Sequence, residues 1–409
     1  MNIWLINHYA VPPHYYPLAR PTNFAKHLMS SGHSVTVISA SSVHNSNPPK
    51  NLITDGAPYR EEVDDGVHHV YIRCCDCTGN GLKRIYNMCE FAWKLPGVCR
   101  RLPKPDAIVA TSMPPMSCAM GIHLARKYKV RGVAEIADLW PESIVAYGIA
   151  GPKNPAVIAL RWLEKWIYKK ADAIVFTMEG AYDYIIEQGW EQEIPRSKVH
   201  YINNGVDLEQ FDYNKEHFCV DDPDLLDPDT FKLAFLGSLV ASNNIDGMLD
   251  LAKRLARFGK LRLLIYGGGI CTESMLRRIR DEQISNVLYK GWVDKKYVPS
   301  IVSRVDVNFM HAAPTELYRF GASPNKLFDY LAAEKPILQD FTYNGDIVQR
   351  YACGLACDWD IDAIEALVQQ LYCAPPEVRT AMGQCARKAA EDYDFRVLTA
   401  QLLNIIEDL

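Results

Sequence analysis

Apolar residues along the 409-residue chain fall into short buried-looking runs separated by longer stretches of helical spacing, and this pattern occurs twice. In the first half, residues 3–6, 34–39, 67–73, 106–110, 130–136 and 173–177 read as strands covered on both faces. Residues 23–31 read as a helix closed by Gly32, and 199–203 run into the turn Asn204-Gly205-Val206-Asp207. Strands alternating with helices predict βαβ units and a parallel sheet. Residues 40–66 are polar and lack a period, so they predict irregular chain. Residues 212–230 are acidic, aperiodic and contain two prolines, which predicts a linker. The alternation then restarts, with strands over 231–236, 261–266, 286–290 and 305–310 and helices over 245–258, 273–281, 377–392 and 395–409. In the first of these helices Ile245, Met248, Leu249, Leu251, Ala252 and Leu255 make one apolar face. The chain therefore predicts an α/β protein of two Rossmann-like domains, 1–211 and 231–392, followed by a terminal segment 393–409.

Composition narrows the class. With 48% hydrophobic and 23% charged residues and no apolar run long enough to cross a bilayer, the chain reads as a globular protein. Met1 leads directly into the first strand and leaves no room for a signal peptide, so a cytoplasmic protein is expected. A formal charge of −5 argues against wholesale nucleic-acid binding. The twelve cysteines include the cluster Cys74-Cys75-Asp76-Cys77, but no second Cys or His pair follows at zinc-site spacing. Reduced, mostly buried thiols and no metal are expected. The pairs Asp222-Pro-Asp224 and Asp358-Trp-Asp360 read as structural, the second lying just before the capping sequence Asp362-Ala-Ile-Glu365.

The richest chemistry lies in residues 321–336, Gly-Ala-Ser-Pro-Asn-Lys-Leu-Phe-Asp-Tyr-Leu-Ala-Ala-Glu-Lys-Pro. Ser323 is placed to cap a helix, Pro324 suits its first turn, and Leu327, Tyr330 and Leu331 follow helical spacing. Unpaired amides at a helix start attract anions, Lys326 adds a positive charge there, and Asp329 is placed to hold a ribose. An ordinary capped helix between buried strands is the alternative. The loop 237–244 should lie over phosphates, while Gly267 to Gly269, directly after a strand, permits close backbone approach to a ligand. In the first half, the long connection 7–22 carries no Gly-rich dinucleotide fingerprint but offers His8 and Arg20, as ligand contacts or as loop packing. The strand 130–136 runs into Ala137-Asp138-Leu139-Trp140-Pro141-Glu142, placing Asp138 and Glu142 where α/β sheets bind ligands. Asp138 as the cap of a helix starting near Pro141 is the competing reading. Glu179 follows the strand 173–177.

The segment 321–336 resembles the donor-binding segment of GT-B glycosyltransferases of family 4, close to the bacterial branch that builds capsule and O-antigen polysaccharides. Asp138-Leu139-Trp140-Pro141-Glu142, Asn204-Gly205-Val206-Asp207 and Gly291-Trp292-Val293 resemble further segments of that family, and the resemblance covers essentially the whole chain. It implies two Rossmann-like domains facing each other across a crevice, with the terminal helix crossing back to the first. It further implies a retaining transferase using a nucleotide sugar, with UDP as the expected nucleotide, and no metal or other cofactor. The implied donor set is Gly237, Ser238, Gly267, Gly269, Trp292, Val293, Gly321, Ala322, Ser323, Asn325, Lys326, Leu327 and Asp329. Catalysis is implied for Lys326 and for Asp138, with Glu142 second, and the acceptor side for His8, Arg20, Glu179 and Asn204. Three departures stand out. Gly321 and Asp329 occupy the places of two Glu residues, which would leave the amides near Gly321 and Ala322 to meet the sugar; the loop 237–244 lacks its usual Arg or Lys; and Ala137 replaces a basic or His residue.

The implied acceptor is a glycan or polyprenyl-linked sugar. The basic, aromatic stretches 81–104 and 161–170 are where the protein would meet the inner membrane leaflet, unless they are solvated helices with a buried aromatic side. Two rivals remain from the sequence: a nucleotide-sugar 2-epimerase, and a non-catalytic nucleotide-sugar-binding partner of another transferase.

Overall fold

The computed structural model describes residues 1–11, 19–43, 50–77, 79 and 81–409. They form two compact units, one of Met1–Asn203 with Phe395–Leu409 and one of Asn204–Asp394.

The first unit is built on a sheet that, among the described residues, has eight strands. Its order is Val199–Tyr201, Ala173–Phe176, Arg131–Ile136, Ala107–Ser112, Asn2–Ile6, Ser34–Ala40, Val67–Ile72 and Tyr59–Asp64. Every pairing is parallel except the last. Ile3, Trp4, Ile6, Val37, Ile38, Ile108, Val133, Ala134, Ile174 and Val175 are fully buried, because helices cover both sheet faces and continuous apolar runs result. The strand order reverses between Asn2–Ile6 and Ala107–Ser112; His8 and Arg20 follow Asn2–Ile6, Asp138 and Glu142 follow Arg131–Ile136, and Glu179 follows Ala173–Phe176, each after a strand's carboxyl end. The terminal helix Phe395–Glu407 buries Phe395, Leu398, Leu402 and Ile406 and packs on the helix Ala19–Ser30, with Phe395 edge-on to Phe24 at 5.7 Å.

The second unit has a six-stranded sheet among the described residues, parallel throughout. Its order is Val287–Gly291, Leu261–Tyr266, Phe231–Leu236, Val307–Met310, Ile337–Gln339 and Gly354–Ala356. Its reversal point lies between Phe231–Leu236 and Val307–Met310. The helix Ile245–Leu255 presents the expected apolar face to a core containing Phe235, Leu263, Ile265 and Phe309.

Several elements differ from the sequence reading, each for a local reason. Within 40–66, expected to be irregular, the described residues include the strands Ser42–Val43, Lys50–Asn51 and Tyr59–Asp64. The last is an edge strand whose exposed Arg60 and Glu61 and half-buried Glu62 hide its period and discourage edge-to-edge pairing. Asp65 (φ 47°) and Gly66 (φ 77°) make the two-residue turn back to Val67–Ile72. The stretch 212–230, expected to be a linker, contains the end of the helix Leu208–His217 and the short helix Pro223–Leu226. Asp222 caps the latter and accepts from Tyr266 Oη at 2.9 Å and Lys290 Nζ at 2.7 Å, which fixes this segment to the second sheet. Asp360, rather than Asp362, caps the helix Ile361–Cys373 by accepting from Ala363 N at 2.8 Å. All twelve cysteines are free thiols, but only Cys74, Cys99, Cys118 and Cys353 are buried, so "mostly buried" was too strong an expectation.

Candidate functional site

The helix Asn325–Ala332 organises the candidate site of the second unit. Leu327, Phe328, Tyr330 and Leu331 are buried, and Tyr330 Oη accepts from Leu236 N at 2.9 Å, which fixes the helix to the end of the strand Phe231–Leu236. The helix start is therefore held beside the loop that leaves that strand. Lys326 Nζ lies 4.2 Å from the centroid of the Phe235 ring, donates to His311 O at 3.0 Å, and would sit 3.6 Å from a Cβ added at Gly237. It forms no salt bridge among the described residues. Burial pushes its ammonium down to about 8, against a smaller opposing pull from Asp340. The residue as a whole is only partly buried, so the desolvated group remains within reach of an incoming anion. The positive charge missing from the loop 237–244 thus arrives beneath it from a neighbouring helix.

The carbonyl that receives Lys326 belongs to His311, which is itself fixed. Its buried ring contacts the buried Asp340 carboxylate through Nδ1, while Nε2 lies 2.9 Å from Asn244 O. A carbonyl only accepts, so Nε2 is the donor. The pairing joins two strand ends, and no local spacing in the sequence points to it.

The expected helix cap is corrected. Pro324 occupies the N-cap position and no side chain caps the helix. Ser323 instead accepts from Asn204 N through Oγ at 3.2 Å, and its carbonyl accepts from Asn204 Nδ2 at 3.1 Å. Asn204, read as an acceptor-side residue, is thus tied to the start of the second unit's helix. The amides of Ala322, Asn325 and Lys326 have no hydrogen-bond partner among the described residues, whereas the Gly321 amide donates to Tyr318 O at 3.0 Å. Of the two amides expected to meet a sugar, the one at Gly321 is already used. Asp329 is buried and paired with Lys295, a partner that lies 34 residues away and that the sequence did not suggest.

Gly267 and Gly269 serve a different purpose from the expected ligand approach. A Cβ at Gly267 would lie 1.9 Å from Gly237 O, and one at Gly269 would lie 2.3 Å from Leu239 O. Their φ values of +139° and +159° and the bonds Gly237 N to Tyr266 O and Leu239 N to Gly268 O show two loops packed backbone to backbone. Leu239 is buried at that seam, Ser238 is exposed, and a Cβ at Gly268 would meet nothing. Trp292 is exposed and Val293 half-buried beyond the strand Val287–Gly291.

In the first unit, Asp138 follows the strand Arg131–Ile136 and has no hydrogen-bond or ion-pair partner among the described residues. The residue is exposed, yet the protein around it strips water from the carboxyl and raises its pKa above the usual carboxylate range. Exposure sets access and desolvation sets basicity, a combination suited to a group that takes up a proton. It does not cap the helix Glu142–Ala146, whose N-cap position is Pro141 with no side-chain bond. Glu142 is held by Arg161, which ties it down and weakens its claim as a base.

Arg20 is buried in a structural role. It donates through Nε to Glu135 Oε1 at 2.9 Å and through Nη2 to Ile202 O at 3.0 Å. His8 is buried with its ring edge-on to Phe91 at 5.1 Å, and Glu179 is exposed. Both His8 and Arg20 pack the protein, the blander of the two readings offered by the sequence. Residues 12–18 of the connection 7–22 lie outside the described residues. Among the described residues no group of three or more His, Cys, Asp or Glu side chains is placed to hold a metal ion.

Residues 19–205 match the family profile described as a glycosyl transferase 4-like domain. Together with the two Rossmann-like parallel sheets and the returning terminal helix, this match gives the first unit the character of a glycosyl transferase 4-like domain and the chain a GT-B fold. The chain is 28% identical over 145 residues to a teichuronic acid biosynthesis glycosyltransferase, TuaH, from Bacillus subtilis (strain 168), covering 35% of this chain and 34% of that protein. It is 24% identical over 260 residues to the glycosyltransferase WbjE from Pseudomonas aeruginosa, covering 63% and 62%. Both matches thus span less than two thirds of the relative. Among solved structures, HepE from Anabaena in complex with UDP aligns over the whole of both chains with a TM-score of 0.65 at 11% identity, a likeness of fold.

Proposed function

We propose that this chain is a retaining glycosyltransferase that moves a sugar from a nucleotide-diphosphate donor, a UDP-sugar, to a glycan or polyprenyl-linked sugar in bacterial surface polysaccharide synthesis. The observation that carries the reading is the cradle of Lys326, an ammonium without a carboxylate partner among the described residues, beside helix-start amides that also lack acceptors. Leaving-group departure loads negative charge onto phosphate oxygens, and preorganised donors in a poorly hydrated site stabilise that charge. The acceptor hydroxyl is the nucleophile, so the protein need supply none. Asp138 takes the role of acceptor-side base, and the 2′ and 3′ hydroxyls of a ribose fall to Asp329. The biosynthetic name of TuaH supports a surface polysaccharide, and the nucleotide in HepE supports UDP.

The test is thermal unfolding of the chain with UDP, GDP and ADP, each at millimolar concentration. UDP should raise the melting temperature most, because a ligand bound only by the native state stabilises it. No shift with any nucleoside diphosphate would refute the reading.

A second reading rests on Gly321. Its φ of +115° places it in a backbone conformation that L side chains rarely adopt, and no carboxylate projects from that position. A non-catalytic nucleotide-sugar-binding partner would account for that loss. It predicts UDP binding without sugar transfer to any glycan acceptor.

Contact with the inner leaflet is part of the proposal. On the helix Leu82–Cys99, Leu82, Tyr86 and Trp93 share one face and are 84%, 63% and 84% exposed, with Lys83, Arg100 and Arg101 exposed nearby. The helix Pro115–Tyr128 packs against both this helix and Pro155–Lys170, from which Trp162 projects 77% exposed. Apolar rings ringed by basic groups suit an anionic bilayer surface. No helix of the described residues is long and apolar enough to cross a membrane. The protein should co-sediment with vesicles containing phosphatidylglycerol, and Trp93→Glu should reduce that fraction several-fold. Equal recovery with neutral phosphatidylcholine vesicles would count against the surface.

A further inference from the structure

A hollow of about 680 Å³ opens in the second unit, and Lys326 and the loop 237–244 do not line it. Its walls include Tyr318, Arg319, Tyr343, Asn344, Gln349 and Asp358. These residues come from the chain that follows three neighbouring strands, Val307–Met310, Ile337–Gln339 and Gly354–Ala356. The hollow thus lies along the carboxyl edge of the parallel sheet, where open α/β sheets take their ligands, but one to two strands outward from the reversal point beside Lys326. Its volume falls within the roughly 300–1,000 Å³ of small-molecule sites.

This wall and the Lys326 cradle form one hydrogen-bonded piece. Tyr318 Oη donates to Ala313 O at 3.3 Å, and Ala313 N donates to Ser242 O at 2.9 Å, in the loop that covers Lys326. Tyr318 O accepts from both Asn344 N at 2.9 Å and Gly321 N at 3.0 Å. The Tyr318 ring stacks on Phe341 at 4.6 Å, and Phe341 follows Asp340, the partner of His311. An occupant of the hollow would therefore rest on the same loops that frame the proposed donor.

The lining chemistry selects the occupant. The side-chain amides of Asn344 and Gln349 are exposed, have no partner among the described residues, and each offer donors and an acceptor, as neighbouring hydroxyls require. Tyr318 contributes an aromatic surface backed by a second ring, suited to the C–H face of a pyranose. Charge is mixed: Arg319 is cationic, while Glu316 and Asp358 are anionic and Asp358 accepts from Thr342 N at 3.1 Å. Mixed sign does not fit a polyanion or a lipid headgroup, whereas an uncharged polyhydroxyl ligand meets every group present.

We propose that this hollow is a saccharide-binding subsite that holds a pyranose of the glycan substrate apart from the donor. The glycan's identity as substrate rests on the transferase reading, but the subsite itself does not require UDP.

The experiment is saturation-transfer NMR on the full chain with the methyl glycosides of glucose, galactose, N-acetylglucosamine and rhamnose, with and without saturating UDP. At least one glycoside should receive saturation, keep it when UDP is added, and bind about tenfold more weakly to the N344A/Q349A double variant, which removes two amide contacts. Both side chains are exposed, and the Asn344 backbone bond survives the change, so the variant should keep its circular dichroism and its UDP signal. The proposal is overturned if no glycoside receives saturation, if UDP displaces the sugar, or if the double variant binds it as well as the parent. Glycoside binding by a chain that ignores UDP would refute the donor reading and leave the subsite standing.

Discussion

Replacing Lys326 with alanine is expected to lower turnover by about 10²–10³-fold, the scale set by removing one preorganised donor to a developing oxyanion. The reasoning is electrostatic. The ammonium is held against the Phe235 ring and the His311 carbonyl, forms no salt bridge among the described residues, and is depressed to about 8 because protein replaces its water, against a smaller pull from Asp340. A cation kept in that condition interacts strongly with the first anion that reaches it. The free amides at the helix start remain in the variant, so some activity should persist. Lys326→Met tests the same point while keeping the aliphatic stem. Its thermal stability should match or exceed that of the parent, because a partly desolvated charge has been removed. The pH dependence follows with a definite sign. A diphosphate prefers the protonated lysine, so UDP affinity should fall as pH rises through about 8, steepening to at most about tenfold per pH unit above it. In Lys326→Met the fall should vanish. Near-normal kcat in either variant, measured with a donor the parent turns over, would sink the proposed role.

Gly267→Ala is expected to destabilise the second unit by about 3 kcal/mol or more and to abolish UDP binding. Two costs add. The new methyl would stand 1.9 Å from Gly237 O, a backbone atom that cannot swing aside, so the loop carrying Ser238 must move. A non-glycine residue at φ +139° adds strain of roughly 1–3 kcal/mol. Gly268→Ala is the internal control. Its Cβ would meet nothing within 4 Å, so its denaturation midpoint should stay close to the parent's. Equal urea midpoints for the two variants would show that the seam between these loops is not rigid.

That contrast also marks what the sequence made legible. The three glycines stand together after a strand, and their position pointed to the site. Only coordinates separate two that accommodate a neighbouring backbone from one that faces open space. Parallel strands were legible because both faces are covered, leaving unbroken apolar runs such as residues 3–6 and 173–176. The edge strand Tyr59–Asp64 was not, since one polar face blurs its alternation, although Asp65-Gly66 was a usable hairpin signal. Lys326 was found from its place in a helix start. Its setting was not, because His311, Phe235 and Gly237 reach it from other strands. The same applies to Asp329 with Lys295 and to Glu142 with Arg161, each partnered across an interval that no local spacing rule covers. Ser323 shows the reverse error: a good local cap was overridden by a partner 119 residues away.

The helix Phe395–Glu407 belongs to the same unit as Met1–Asn203, with Phe395 against Phe24. On the ribosome, therefore, the opening segment cannot acquire this helix until the whole of Asn204–Asp394 has been made. The interior segment Asn204–Asp394, by contrast, is contiguous and can close up as it emerges. A stop codon just before Phe395 would spare the later-made body and leave the earlier-made one unfinished.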